Sequence, residues 1–545
     1  MIEVATFGGA APPTWSGTTG IHTGSVTTVY DANFTTVTDE AGKVRRGMVD
    51  AKGRLVRVDE PDAAGSLGTT TSPAQPTSYG YDVLGNLTTI TQGSQTRSFA
   101  YDSLSRLRTA TNPENGTISY QYDDNSNLLL KTDARGVSTH FEYDSLNRVT
   151  RRWYNGSSSL TATTHNSPAL PAGVGATNEA KFFYDTQALP SGAPSYTRGS
   201  AVGRVVAETY GGGSNGDYSA YDALGRRTLK IQQTGGVNYQ TSAVYSLSGD
   251  VTSMTSPSGR TITNTYDQMG RLTTFSGNLG DGTTRTYSSG IIYSPIDGLV
   301  KEQFGTTTPI YNKLFYNSRG QLAEIRESTS YTGPTDTTWD RGAIINNYSA
   351  SCTGVCSGSS MPDNNGNLRK QEIHIPGQTM RWQEYDYDSI NRVNWAREVL
   401  NGGAEQWKQA FTYDRWGNRT INTGVTYGTG INNKVFTVNT ANNRLDVPGG
   451  QTGVMSYDAA GNLTSDTYTG MGSRTYDAEN KITQAADNTG QVSRYSYDAE
   501  GKRVTRQVAS SQEVWQVYGL NEELLAEYRA TVPAAGPEKE YGYRD

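Results

Sequence analysis

The sequence predicts an all-β protein built of repeated antiparallel hairpins, with almost no helix. Two observations predict it. One short phrase recurs at a nearly fixed interval, and the residues that vary within it vary as a β-turn requires. The clearest copies lie in residues 457–504, where the phrase starts at Tyr457, Tyr476 and Tyr497, 19 and then 21 residues apart. Self-similarity at such a period marks a repeat architecture, which sets the frame for everything else in the chain.

The core of the phrase is Tyr-Asp-x-x-Gly followed by Arg, Asn or Lys and then Leu, Val or Ile. Asp with Gly three residues later fits a type I turn, in which the Asp side chain accepts bonds from the turn's own N–H groups. The Gly position needs positive φ, giving a type I turn with a G1 bulge. Gly fills it at Gly53, Gly85, Gly225, Gly249, Gly270, Gly320, Gly366, Gly417, Gly461 and Gly501. Asn, the next-best residue for that conformation, fills it at Asn147, Asn391 and Asn480, and Ser105 and Ser126 are poorer substitutes.

An aromatic residue two places before the Tyr recurs in many copies, as in Tyr79/Tyr81, Phe99/Tyr101 and Tyr495/Tyr497. Residues i and i+2 share one face of a strand. Stacked hairpins are therefore expected to align these rings into aromatic rows, which is how a chain only 34% hydrophobic but holding 35 Tyr would fold. Net charge of −6 with 10% aromatics argues against disorder, and the absence of a basic run argues against nucleic acid. No apolar run approaches the roughly 18 residues of a membrane-spanning helix. The N-terminus lacks a signal-peptide pattern and reads as a start inside a longer polypeptide.

Taken in order, the chain opens with a Gly/Pro-rich lead and repeats at Tyr30-Asp31, Asp39–Gly42 and Asp50–Gly53, followed by a Pro/Ser/Thr loop over 61–78. The most regular block carries Tyr81-Asp82, Tyr101-Asp102, Tyr122-Asp123 and Tyr143-Asp144. Residues 152–200 read as loops flanking a strand at Tyr184. Copies resume at Tyr221-Asp222, Tyr245, Tyr266-Asp267, Tyr293 and Tyr316, with Ser or Asn replacing Asp at Ser246, Ser294 and Asn317. A large insert, 327–362, precedes copies at Asp363, Tyr387-Asp388 and Tyr413-Asp414, and a second insert spans 421–450. The block Tyr457-Asp458, Tyr476-Asp477 and Tyr497-Asp498 closes the series, and the tail holds two further strand-like runs. The reading is one continuous repeat array over residues 1–545.

No catalytic or cofactor-binding constellation is read in the chain. His22, His140, His165 and His374 are scattered. Gly212-Gly213-Ser214-Asn215-Gly216 matches G-x-S-x-G only formally, because a nucleophile elbow needs a strand before it and a helix after it. Asp123–Asn127 and Asp363–Asn367 hint at calcium loops but lack the sixth-position Gly and the bidentate Glu, so they read as turns. Cys352 and Cys356 admit either a disulfide, favoured in an oxidising compartment, or two free thiols.

The phrases YDALGRR at 221–227 and YDAAGNLT at 457–464 resemble those of the RHS or YD-repeat family, which includes bacterial RHS polymorphic toxins, toxin-complex C components and the teneurin ectodomain. The resemblance implies a sheet spiralling into a large hollow shell. In bacterial members such a shell encloses a C-terminal toxin or effector domain of the same polypeptide until delivery. It also implies a secreted or cell-surface location, with secretion machinery or surface glycans as further partners. The family's core region, with its DHLG-type phrase and self-cleavage site, and the toxin domain are not found in this sequence, so neither activity is carried onto a residue here. A surface protein binding carbohydrate or another protein is the alternative reading.

Overall fold

A Tyr-Asp phrase followed by a residue at positive φ has one low-energy way to reverse the chain, and the structure repeats it. The structure, a computed structural model, describes residues 2–6, 24–155, 179–317, 319–349 and 363–543. At the tip closed by Asp458, the Gly461 N–H donates to the Asp458 carbonyl at 3.1 Å, and the Asp458 N–H donates to the Asn462 carbonyl at 3.0 Å. Gly461 has φ +86°, and Asn147 and Ser105 hold the same place at +59° and +60°. This is the five-residue loop of a type I turn with a G1 bulge. Among the described residues the regular elements are strands, and no helix occurs.

Many of the Tyr-Asp hairpins carry a second bulge that the turn does not require. Ser456 opposes Ser465, yet the next residue, Tyr457, opposes Leu463, so Thr464 is extra on the outgoing strand. The same slip precedes Tyr221, Tyr245, Tyr266 and Tyr476, with Thr228, Thr252, Thr273 and Thr483 as the extra residues. A bulge frees a backbone acceptor that the ladder would have used. The extra threonine supplies the missing donor: Thr464 Oγ1 donates to the Ser456 carbonyl at 3.1 Å, and Thr252 and Thr273 donate to Val244 and Thr265, both at 3.1 Å. Bulges also strengthen the right-handed twist, so each such hairpin adds the same increment of turning.

The strands group into two compact units, Met1–Arg97 with Thr286–Asn443, and Ser98–Arg285 with Arg444–Asp545. Within each, strands adjacent in sequence pair antiparallel, as where Glu405–Tyr413 pairs with Val393–Leu400, or Gly216–Tyr221 with Arg227–Thr234. The second unit has apolar cores at Tyr239, Trp515, Val517, Ala526 and Tyr528, and at Ala207, Tyr218 and Ile231. Much of the interior is polar but paired. In the first unit buried Lys313 donates to the Thr338 carbonyl at 2.6 Å and lies 3.2 Å from Asp336. In the second, the Gln232 amide donates to the Gln516 carbonyl at 2.8 Å and accepts from the Tyr518 N–H at 2.9 Å, standing in for a backbone peptide.

Three stretches read as inserts hold more structure than the sequence suggested. Within 327–362, Gly342–Asn347 is a strand pairing with Leu322–Ser328 and Lys370–His374. Within 152–200, the repeat is interrupted inside its own tip. Asp185 N–H donates to the Arg204 carbonyl, Asp185 Oδ1 accepts from the Gly203 N–H, and residues 186–200 bulge out between the two halves. Within 421–450 a degenerate tip lacks both Tyr and Asp. Asn439 accepts the Asn443 N–H on its carbonyl at 2.8 Å, and Asn443 has φ +57°. Tyr30-Asp31, read as a repeat, instead enters a tight hairpin in which Asp31 opposes Phe34.

Replacing Thr464 with Val removes the hydroxyl donor and keeps the side chain's shape. We expect a loss of about 0.5–1.5 kcal/mol in a denaturant titration, with the slope unchanged.

Candidate functional site: the Tyr-Asp tip clamp and a buried charge cluster

In many tips the residue after the positive-φ position links the hairpin to the next. Arg106 Nε donates to Asp102 Oδ2 of its own tip at 2.7 Å, and its Nη1 donates to the Asp123 carbonyl of the following tip at 2.8 Å. Its guanidinium lies 5.0 Å from the centroid of Tyr122, and the Tyr122 hydroxyl donates back to the Leu107 carbonyl at 2.9 Å. Arg226 repeats the set with Asp222, Ser246 and Tyr245, and Arg392 with Asp388, Asp414 and Tyr413. The hydroxyl bond recurs at the same offset: Tyr81 to Leu55, Tyr143 to Leu128, Tyr221 to Val205, Tyr266 to Val251, Tyr387 to Leu368, Tyr413 to Val393, Tyr457 to Leu445, Tyr476 to Leu463 and Tyr497 to Ile482, all at 2.7–2.9 Å. The tyrosine rings expected to stack in rows are here covered by cations of the preceding repeat, each contact contributing on the order of 0.5–1 kcal/mol.

At four tips where the linking residue is Asn, the contact changes and so does the next tip, whereas Asn86 precedes a tip with Ser105 at the positive-φ position. Asn127 Nδ2 donates to Asp123 Oδ2 and to Asn147 Oδ1, both at 2.8 Å. Asn462 does the same with Asp458 and Asn480, Asn367 donates to Asn391, and Asn418 to Asn443. In each case the acceptor is an Asn at the positive-φ position of the following tip. The choice of Asn over Gly there is thus tied to the preceding repeat and not to φ alone. Sequence reasoning took these Asn residues as second-best turn formers; pairing positions across adjacent copies would have found the rule.

The tip Asp residues spend their acceptors locally. The Asn86 side-chain amide holds Asp82 below the usual carboxylate range, and the backbone N–H groups of Arg106 and Arg271 do so for Asp102 and Asp267. Asp123 and Asp144 accept from the backbone N–H groups of Asn127 and Arg148. Gly85, Gly225, Gly270, Gly417 and Gly501 all lie at positive φ. Tyr101-Asp102 closes the tip whose Asp accepts the Ser105 N–H at 3.0 Å. Asp477 and Asp498 differ, since burial raises both, Asp498 to about 6.

Asp498 belongs to a buried cluster in the second unit. Lys230, almost wholly buried, lies 3.0 Å from Asp217 Oδ2 and 2.6 Å from Glu522 Oε2. Arg227 and Lys502 each reach Glu522 at 2.6 Å, and Lys502 reaches Glu500 at 2.9 Å. Burial would raise Glu522, but these three cations hold it down to about 2. The remaining acids have too little positive charge near them. Burial, with Glu500 and Asp217 nearby, pushes Glu208 up to about 8, and burial raises Asp217 and Glu523.

The residues singled out for chemistry do not assemble. His140 stacks on Trp153 at 4.0 Å, and His374 lies beside Glu372 and Trp339. The 211–215 loop leads into the strand Gly216–Tyr221, not a helix, so the elbow context is not met. No group of three or more His, Cys, Asp or Glu among the described residues could hold a metal. Cys352, Cys356, His22 and His165 lie outside the described residues.

The clamp, repeated from tip to tip, defines an all-β hairpin-repeat protein of the YD-shell type. The teneurin YD-shell profile matches residues 26–152, and the RHS repeat profile matches 245–284 and 476–512. The stretches so matched are repeats of the RHS/YD type. Its fold is similar to that of TcdB2-TccC3 without its hypervariable C-terminal region, with a TM-score of 0.66, 15% identity, and 93% of this chain and 26% of that chain covered. It is also similar to TcdB2-TccC3-TEV, with a TM-score of 0.65, 14% identity and 90% and 25% covered, and to the Photorhabdus luminescens Tc holotoxin pore, with a TM-score of 0.67, 15% identity and 93% and 26% covered. The chain thus spans about a quarter of the solved chains it matches, and the likeness is one of fold. No curated protein matches its sequence significantly.

Two predictions follow from the clamp and the cluster. Asn480→Gly suits the backbone better but strips Asn462 of an acceptor, so it should destabilise by about 1 kcal/mol; a gain in stability would refute the pairing rule. The raised carboxylates of the cluster contribute stability that is fully present below their unfolded pKa of about 4 and is lost as pH rises from there through about 6 and about 8. The lowered tip carboxylates contribute above about 4 and lose it as pH falls further. Thermal unfolding should therefore have a higher midpoint at about pH 5 than at about pH 8, and Glu208→Gln should flatten that difference.

Proposed function

We propose that the chain is a structural, non-catalytic layer of a shell that encloses a C-terminal toxin or effector domain of the same polypeptide until delivery, in a secreted or cell-surface bacterial protein. The observation carrying this reading is that the whole-length fold match falls on toxin-complex chains, one of them described as lacking a hypervariable C-terminal region. The tip clamp supports it physically. A wall must resist opening along its whole length, and here many hairpins are fastened to the next by a recurring set of tip bonds as well as by local apolar cores. At most tips the Asp carboxylate is consumed as a turn acceptor, a structural use of the residue.

A second reading, a carbohydrate-binding surface, is favoured by one groove in the first unit. It has a volume of about 530 Å³, with Tyr387, Phe411 and Tyr413 on its walls and Lys43, Arg392 and Arg415 among its polar groups. Aromatic faces beside charged donors suit a sugar.

The test is limited proteolysis of the full-length gene product. The C-terminal segment should survive while residues 1–545 are intact and be digested once the repeat region is unfolded by denaturant. Equal digestion in both states would exclude enclosure, and glycan-array binding lost in Tyr413→Ala would then favour the second reading.

A further inference from the structure

The tip at 518–523, in the second unit, has the backbone of the other tips and the reverse of their side-chain chemistry. The Gly519 N–H donates to the Glu523 carbonyl at 2.9 Å, the Glu522 N–H donates to the Gly519 carbonyl at 3.2 Å, and Glu522 holds the positive-φ place at +67°. The Tyr518 hydroxyl donates to the Arg503 carbonyl at 2.9 Å, as in earlier repeats. Gly519, however, stands where most tips have Asp, and Glu523 stands at the linking position held elsewhere by Arg106, Arg226 and Arg392. Glu523 reaches back into the place of the missing Asp. Its Oε2 accepts the Asn521 N–H at 3.0 Å, and a Cβ on Gly519 would collide with its carboxylate. The turn has kept its acid and lost its cation.

The next tyrosine still expects that cation. Tyr543 donates its hydroxyl to the Leu524 carbonyl at 2.7 Å, the usual offset, and is 44% exposed. Among the described residues no cation lies over its ring, and none forms an ion pair with Glu523. Lys230 acts on Glu523 only from a distance, being bonded to Glu522 and Asp217. Asp250 is another acid at the linking position, but the hydroxyls of Ser246 and Ser248 donate to it at 3.1 and 2.6 Å.

Beside Glu523 and Tyr543 opens a pocket of about 180 Å³, walled by Val251, Met254, Ile262 and Asn264. Asn264 Nδ2 donates to the Val251 carbonyl at 3.0 Å and to the Tyr266 hydroxyl at 3.2 Å, which fixes the orientation of the amide. Its Oδ1 is left buried without a partner, a cost that a donor would remove. A carboxylate, an amide oxygen, an aromatic ring and an aliphatic wall are together the surroundings that suit a guanidinium on an aliphatic stem. The volume is below the roughly 300 Å³ at which small-molecule sites begin, and it has room for one side chain.

We propose that the tip at 518–523 binds an arginine side chain of a partner polypeptide, which supplies from outside the cation that other tips carry at the linking position. The guanidinium pairs with Glu523 and lies on Tyr543, and its stem runs along Met254 and Ile262. The inference is independent of what the repeat layer encloses.

Isothermal titration calorimetry of the full chain with acetyl-Gly-Arg-Gly amide tests it. One peptide should bind per chain, and the citrulline counterpart, similar in shape but neutral, should bind about tenfold more weakly or worse. E523Q should lose a similar factor, because glutamine can still accept the Asn521 N–H but carries no charge. The double variant G519D/E523R rebuilds the usual tip with its own arginine, so it should keep or raise the thermal midpoint and bind no peptide. Propylguanidine, which has the stem and head group without a backbone to meet Asn521 at the rim, should bind more weakly than the peptide. Equal or tighter binding of propylguanidine would make the occupant a small cation and overturn the assignment to a polypeptide. No binding to the wild-type chain, equal binding of the citrulline peptide, or wild-type affinity in E523Q or G519D/E523R would each overturn the site.

Discussion

The structure depends on one hydrogen bond used many times, from the hydroxyl of a tip tyrosine to a backbone carbonyl just past the preceding tip. It is modest alone, on the order of 1 kcal/mol. Its effect lies in position. The strand ladder fixes neighbouring strands along their length, but consecutive tips are two strands apart and share no ladder bond. The tyrosine spans that gap, and the guanidinium on its ring closes the same gap from the other side, so the edge of the sheet is fastened as firmly as its middle. Ring, cation and carbonyl shield one another from water, which strengthens each.

The second bulge adds twist beside the Tyr in many hairpins, and where the extra residue is threonine its hydroxyl satisfies an acceptor of the incoming strand. The same principle governs the interior, where Gln232 acts as a peptide between strands of different hairpins and Lys313 is bonded to a carbonyl and a carboxylate. With so little aliphatic residue available, the chain stays folded by leaving few of its polar groups unpaired.

What the sequence showed and concealed divides along range. The turn was legible because its constraint is local: Asp and a positive-φ residue three places on have few other uses together. The tyrosine's partner was not, since it lies in the previous copy, and the ring rows expected from the i−2 aromatics assumed that like packs on like. The threonine of the second bulge was visible as the T of GNLT and GRLT but had no assigned task. The tip at Asn439–Leu445 was invisible because both signature residues are replaced, although the Leu445 carbonyl still receives the Tyr457 hydroxyl. The cluster around Lys230 joins residues about 290 apart in sequence, and no pattern within one repeat could foretell it.

The tip that opens at Asp185 and closes at Gly203 has a consequence for how such a chain changes over time. Across residues 186–200 the Asp185 N–H still donates to the Arg204 carbonyl, while the Gly203 N–H turns to the Asp185 side chain, and closure entropy grows only slowly with loop length. The five-residue turn is therefore a port as well as a hinge. New sequence can be admitted between the Asp and the Gly while the strands on either side keep their register. What is admitted there is still tied to the wall, for Leu189, Ala193 and Tyr196 pack against the core around Tyr218, so an inserted segment is held by the packing it finds rather than by the pairing rules of the repeats.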